Sequence, residues 1–302
     1  MTKPITIETA ETFWSFQGEV GVGKPQVWIR TTMCNFECRK FGNPNNEDTT
    51  SIATLGFDPR DYKTLESMPI ITKGCDSSYS WNRDLFKHTW TKWNLDDLAA
   101  HLVELIPHHS WVHPVTKQAV GFAITGGEPT LKLRELAELL HHPLLKELQT
   151  VTIETNCSVP IRWEQIMRLN QWLSESPNRK LIWSNSPKLS NSGEAWEKAI
   201  CPDVALKQMC VMGPGPNNAQ VKQYFKFVSD GSDESFAEIH RAMQVYYVNG
   251  ISDKVEVWIM PEGATLDQQD GAAKMICNKA MALGYNVAPR VHVYVYGNAV
   301  NT

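Results

Sequence analysis

The sequence has no apolar run approaching the roughly 20 residues needed to span a bilayer. Its start, "MTKPITIETAETFW", is neither a secretory signal nor an Arg-rich transit peptide. No membrane partner is therefore expected, and the cytoplasm is the predicted location. Excess charge is also small: 29 Lys and Arg against 33 Asp and Glu leave a formal charge of −4, which gives no electrostatic footprint for nucleic acid. Seven cysteines, odd in number and scattered, exclude a disulfide framework and leave metal binding, catalysis or burial. No internal repeat and no linker divides the 302 residues, so the chain reads as a single domain, 1–302. At 42% hydrophobic it can bury a substantial core.

What is present is a regular alternation. After Pro25, "QVWIRTT" reads as a buried strand. From residue 96 onward, "DDLAAHLVELI" reads as an amphipathic helix, "VGFAIT" as a strand, "LRELAELLHH" as a helix and "TVTIET" as a strand. A helix near 161–173, a strand "KLIWSN", a short helix around "EAWEKAI" and a strand "QYFKFVS" follow. A helix near 233–247, a strand "KVEVWIM", a helix near 265–283 and a closing segment "VHVYVY" complete the series. Alternation of this kind implies α/β architecture with a mainly parallel sheet, either open and doubly wound or a full or partial barrel. In both, ligands gather at the C-terminal strand ends. Those ends read "RTTMC", "TGGEPT", "ETNCS", "SNSPK", "SDGS" and "MPEGAT", more polar and richer in Gly and Pro than plain connections need.

One stretch, "TTMCNFECRKFGNP", stops short of a known pattern. Cys34 and Cys38 stand four apart, as two ligands of an iron–sulfur cluster often do, but Phe41 occupies the place of a third. Residues 41–74 are rich in Asn, Asp, Thr, Gly and Pro without sustained period, and read as an inserted loop or small subdomain. Cys75 follows in "KGCDSSYSW". Loop-closure entropy rises only logarithmically with length, so a long excursion can return Cys75 to the other two. Three separate buried cysteines, or a zinc site with a fourth ligand, would use the same residues.

The segments "FWSFQGEVGVGKPQVWIRTTMCNFEC", "CDSSYSW", "ITGGEP", "IETN", "SPKLS", "WIMPEG" and "PRVHVYVYGN" occur in this order from about residue 8 to 298. Together they resemble the 7-carboxy-7-deazaguanine synthases, radical S-adenosylmethionine enzymes of 7-deazapurine and queuosine biosynthesis. The departure is the cysteine motif, usually Cys-x3-Cys-x2-Cys, which residues 41–74 here split. The resemblance implies a partial (β/α) barrel and a radical ring contraction of 6-carboxy-5,6,7,8-tetrahydropterin to 7-carboxy-7-deazaguanine with release of ammonia. It implies a 4Fe-4S cluster on Cys34, Cys38 and Cys75, S-adenosylmethionine on its open iron, and Mg²⁺ near the Ser77 hydroxyl, where relatives usually carry Thr. Such a hydroxyl with substrate oxygens and waters suits Mg²⁺.

By the same resemblance the cofactor is expected against Gly74, Asp76, Gly126, Gly127, Glu128, Ser186, Pro187, Lys188, Ile259, Met260, Pro261 and Glu262. The pterin is expected against Phe16, Gln17, Gly18, Glu19, Arg30, Thr125, His292 and Asn298. Ordinary turns would also use "SPK", "MPEG" and "DSS", and a solvated Arg and a surface Gln-Gly turn are the plain readings of Arg30 and "FQGE". Cys157, Cys201, Cys210 and Cys277 form no pattern for a second cluster. "SWNRDLFKHTWTKW" is expected to be a lid or packing segment, and the 41–74 insert a lid over the cluster or a docking surface for an electron donor. That donor would be a flavodoxin or ferredoxin, and the resemblance implies a homodimer. A glycyl-radical activase, or a non-enzymatic iron–sulfur electron-transfer protein, would share the cluster without the pterin-side segments.

Overall fold

A computed structural model describes residues 4–213 and 219–301. Among the described residues nine strands form one sheet: β1 (Thr6–Phe16), β2 (Pro25–Thr31), β3 (Thr91–Asn94), β4 (Gly121–Gly126), β5 (Thr150–Thr155), β6 (Lys180–Asn185), β7 (Val221–Ser229), β8 (Glu256–Pro261) and β9 (Asn286–Val287). Their order is β3-β1-β2-β4-β5-β6-β7-β8-β9. From β2 through β9 all pairings are parallel, while β1 runs antiparallel to both β2 and β3. The sheet is not closed, and the architecture is the α/β partial barrel expected from the alternation.

The strands divide cleanly by period two. On one face Val27, Ile29, Phe122, Ile124, Val151, Ile153, Leu181 and Trp183 pack with apolar residues of helices Leu95–Glu104, Leu133–Leu139 and Trp163–Ser174. Phe225, Phe227, Val257 and Ile259 continue that face against helices Asp233–Val248 and Leu266–Ala282. The other face presents Trp28, Arg30, Thr125, Glu154, Lys226, Val228 and Met260, all lining one cavity. Strands from β2 to β8 can share one cavity only if the sheet curves around it, so this second face is the concave one.

The strands missing from the sequence reading are the two antiparallel ones, β1 and β3, and the two-residue β9. In β1, "TIETAETFWSF" mixes two glutamates with apolar residues. Its pairing with β2 slips between Thr9 and Glu11. A bulge of this kind re-aims side chains, and here Glu11 comes opposite Arg30. The segment "SWNRDLFKHTWTKW" becomes short helical turns ending in β3. Within the insert, helix Ile52–Leu55 is capped by the Ser51 side chain and by Gly56 at φ 78°. Leu65 and Ile71 of the insert join Ala10, Tyr79, Leu85 and Phe86 in a small apolar cluster, so the excursion is packed onto the sheet edge. The closing segment "VHVYVY" folds as helix Val291–Tyr296, stopped by Gly297 at φ 65°. No helix among the described residues is long and apolar enough to cross a membrane.

Candidate active site

The loop after β2 carries Cys34 and Cys38, and the insert leaves and re-enters beside it. The peptide N–H of Gly74 donates to the carbonyl of Phe41 at 2.6 Å, so the two ends of the excursion meet. A second tie holds the exit: Glu262, just past β8, accepts the Gly42 N–H at 3.0 Å and the Asn191 amide at 2.9 Å. Cys34, Cys38 and Cys75, none of them in a disulfide, then line the same cavity. Phe36, Phe41 and Ala199 pack around them.

This apolar setting governs the thiols. Burial pushes the Cys34 thiol up to about 12 and raises Cys38 and Cys75 as well; neighbouring cysteines add to the rise at Cys34 and Cys38, and the Asp76 carboxylate adds to it at Cys75. Such thiols ionise when a metal supplies the compensating charge. Among the described residues no three His, Cys, Asp or Glu side chains are grouped tightly enough for one ion. Three free thiols on one cavity are nonetheless the donor type that iron–sulfur clusters take. In type and number these donors suit an iron–sulfur cluster with three protein ligands.

The "TGGEP" turn after β4 is pressed against this loop. A Cβ on Gly127 would lie 2.2 Å from the Met33 carbonyl oxygen and 2.9 Å from the Cys34 Cβ. The position admits only glycine because the Met33 carbonyl and the Cys34 side chain occupy the space. The Glu128 N–H continues the tie, donating to Met33 O at 2.9 Å. The Glu128 side chain is fully buried and turned away from the cavity. Its carboxylate accepts from Thr155 Oγ1 at 2.7 Å, Asn156 N at 2.7 Å and Thr130 N at 3.0 Å, and also from the Thr130 hydroxyl. Desolvation raises its pKa and these bonds oppose the rise.

At the other end of the cavity the charges are paired. Arg30 Nε donates to Glu11 at 2.6 Å and Nη1 to the Ser77 hydroxyl at 3.0 Å, while Tyr79 donates to the same Glu11 oxygen at 2.8 Å. Asp76 accepts from Arg290 at 2.9 Å, and Arg290 also donates to the Gly263 carbonyl at 2.6 Å. Despite burial, Arg290 and Arg30 hold the Asp76 carboxyl below its usual range. Lys226 is ion-paired with Glu19 and stands 3.9 Å from Glu154. Its ammonium is held charged by both acids against desolvation. Lys226 in turn lowers Glu19, whereas Glu154 is raised by burial and by its neighbour Glu19. His292 packs on the "FQGE" turn so closely that a Cβ on Gly18 would come 2.4 Å from its Nδ1. Burial depresses the His292 pKa to about 4, so the ring is neutral at pH 7.

The cavity, of about 360 Å³, brings together residues predicted from distant segments. Phe16, Gln17, Gly18, Glu19, Arg30, Gly74, Asp76, Ser77, Thr125, Gly126, Gly127, Ser186, Lys188, Met260, Pro261, Glu262, His292 and Asn298 line it with the three cysteines. Glu128, Pro187 and Ile259 do not line it, and Ile259 lies in the core. Lys188 turns back onto Ser186, its Nζ donating to the Ser186 carbonyl at 3.0 Å. Glu11, Tyr79, Glu154, Lys226 and Arg290 line the cavity without having been singled out. The signal for two of them was a charge inside an otherwise buried strand, Glu154 in "TVTIET" and Lys226 in "QYFKFVS".

No family model matches the chain. Full-length comparison finds the 7-carboxy-7-deazaguanine synthase of Pyrobaculum aerophilum, 24% identical over 296 residues, covering 97% of this chain and 96% of that protein. The 7-carboxy-7-deazaguanine synthase of Halobacterium salinarum is 27% identical over 309 residues, covering 97% of this chain and 91% of that protein. The likeness carried by the separated motifs therefore extends over 97% of the chain, which is similar at 24–27% identity to two 7-carboxy-7-deazaguanine synthases.

Proposed function

We propose that the protein converts 6-carboxy-5,6,7,8-tetrahydropterin to 7-carboxy-7-deazaguanine by a radical ring contraction that releases ammonia. Cys34, Cys38 and Cys75 would hold a 4Fe-4S cluster, S-adenosylmethionine would occupy the adjoining strand ends, and Mg²⁺ would sit by Ser77. The observation that carries this reading is the Gly74 to Phe41 hydrogen bond. It makes three thiols one wall of a cavity whose other wall is lined with acids, cations and amides. Bound there, the cluster and S-adenosylmethionine would supply 5′-deoxyadenosyl radical chemistry.

The residues of the chain have separate tasks in this proposal. Arg30, backed by Glu11, presents guanidinium N–H groups of the kind that hold a carboxylate. Gln17, Glu19 and Glu154 offer acceptors, and Lys226 and the Gln17 amide offer donors, for the polar edge of a pterin. Neutral His292 offers one donor and one acceptor nitrogen. Phe16, Trp28 and Met260 give the cavity apolar surface that excludes water, which strengthens every polar contact inside. A flavodoxin or ferredoxin as electron donor, and a homodimer, belong to the same proposal.

The test is anaerobic reconstitution with iron and sulfide, followed by incubation with the tetrahydropterin, S-adenosylmethionine, Mg²⁺ and a reductant. The expected product is 7-carboxy-7-deazaguanine, and Cys75→Ala should lose both iron and product. Cofactor cleavage without deazaguanine would replace this reading with another radical activity such as a glycyl-radical activase. A bound cluster with neither reaction would point to electron transfer alone.

A further inference from the structure

We propose that Glu194 is a positioning residue for the iron–sulfur site: it fixes the Cys34–Cys38 loop and places a negative charge beside it. The inference rests on the cluster reading given above. Past Thr31 the chain leaves the sheet, and the amides of this loop have no strand partner. One oxygen of Glu194 accepts the N–H groups of both Glu37 and Cys38, each at 2.8 Å. The Lys40 N–H donates to the Ser192 carbonyl at 3.1 Å. Three amides between Glu37 and Lys40 are thus captured by one turn between β6 and helix Trp196–Ala199.

That turn is itself anchored. The Ser192 hydroxyl donates to the Leu189 carbonyl at 2.6 Å and accepts the Glu194 N–H at 3.1 Å. Cys38 sits at φ 50°, a left-handed conformation that a residue with a Cβ keeps only when its surroundings impose it. Bonds from amides to a carboxylate are of the stronger, charge-assisted kind and can impose it.

Two electrostatic effects act in one direction. Hydrogen bonds to the sulfurs of a cluster and the net charge around it set its reduction potential. The Glu37 and Cys38 amides are spent on Glu194 instead of on sulfur, and the carboxylate charge opposes the arrival of an electron. Lys188, whose charge also reaches Cys38, is the opposing group. The net effect of Glu194 is a lower potential, which the reductive cleavage of a sulfonium requires.

The experiment compares wild type, Glu194→Gln and Glu194→Ala after anaerobic reconstitution. Iron per chain, the rate of iron loss to a chelator, and the midpoint potential by redox titration are measured, with circular dichroism to verify folding. Glu194→Gln keeps an acceptor and should load iron fully, with its midpoint shifted to a more positive value. Glu194→Ala should lose iron to the chelator roughly tenfold faster, the usual scale for a group supporting a metal ligand. Should the alanine variant not fold, the midpoint of the glutamine variant decides. Midpoints and iron retention equal to wild type in every variant that folds would overturn the proposal. A wild-type protein that takes up no iron would instead overturn the function proposed above.

Discussion

Lys226 and Glu19 form an ion pair across the concave face, between the middle of β7 and the turn after β1, with side chains only 6% and 12% exposed. Glu154 shares the same ammonium from 3.9 Å. Two acids and one cation in a buried space are held together by the cation. Removing one partner of such a pair costs about 3–5 kcal/mol, because a desolvated charge is left behind. Lys226→Met should therefore lower the melting temperature strongly, and Lys226→Met with Glu19→Gln should recover part of the loss. Thermal denaturation of the single and double variants checks this, and equal melting temperatures for Lys226→Met and wild type would exclude the cation from a structural part.

This pair also marks where sequence reading ends. The central strands β4 to β8 were legible because their outward positions, such as Phe122, Ile124, Val151 and Ile153, are apolar and alternate with helical segments of period 3.6. Strand β1 was not, since its buried positions include Thr9, Glu11 and Ser15, and the partners of the first two are remote: Trp93 donates to Thr9, and Arg30, Tyr79 and the Asn301 N–H donate to Glu11. The closing "VHVYVY" carries β-branched and aromatic residues in alternation yet makes a short helix, fixed by the Val291 N–H donating to Gly18 at 2.9 Å. Partners far apart in sequence explain both. In the site, single residues within motifs could be marked, but the pairing of Lys226 with Glu19, or of Arg290 with Asp76, depends on how the sheet curves.

Glu128 carries a second prediction. Its buried carboxylate receives N–H and O–H donors from Thr130, Thr155 and Asn156, so it ties the ends of β4 and β5 together. An amide in its place would point an NH₂ at donors. Glu128→Gln should therefore destabilise the fold by roughly 1–3 kcal/mol, the cost of buried polar groups left unsatisfied. Urea denaturation measures it, and an unchanged midpoint would show that the carboxylate is not needed as an acceptor.

His292 gives the pH dependence. Burial, reinforced by Arg290 and Lys226 and opposed by Glu19 and Asp76, lowers its pKa from 6.5 to about 4. Between these values the unfolded chain binds a proton that the folded chain refuses, so stability falls as pH drops from about 6.5 towards 4 and changes no further from this group below that. His292→Gln removes the titration. The melting temperature of wild type should decline more steeply than that of His292→Gln across this window, and parallel curves would remove His292 as the cause.

The insert can be removed at its own neck. The bond from the Gly74 N–H to the Phe41 carbonyl is the closure a four-residue β-turn makes between its first and last residues. Gly42 already holds φ 56°, as the first central residue of a hairpin turn requires. Deleting residues 43–72 would leave Phe41-Gly42-Lys73-Gly74 as such a turn and restore a short path from Cys38 to Cys75. The shortened chain should still fold and bind iron. It should lose the wall that Phe57, Leu65, Met68 and Ile71 contribute to the cavity, so the bound cluster should bleach several-fold faster in air, since exposure governs oxidative access. Iron per chain and the decay of visible absorbance on aeration measure the two effects. Unchanged bleaching would show that the insert does not cover the cluster, and failure to bind iron would show that it does more than bridge the two cysteines.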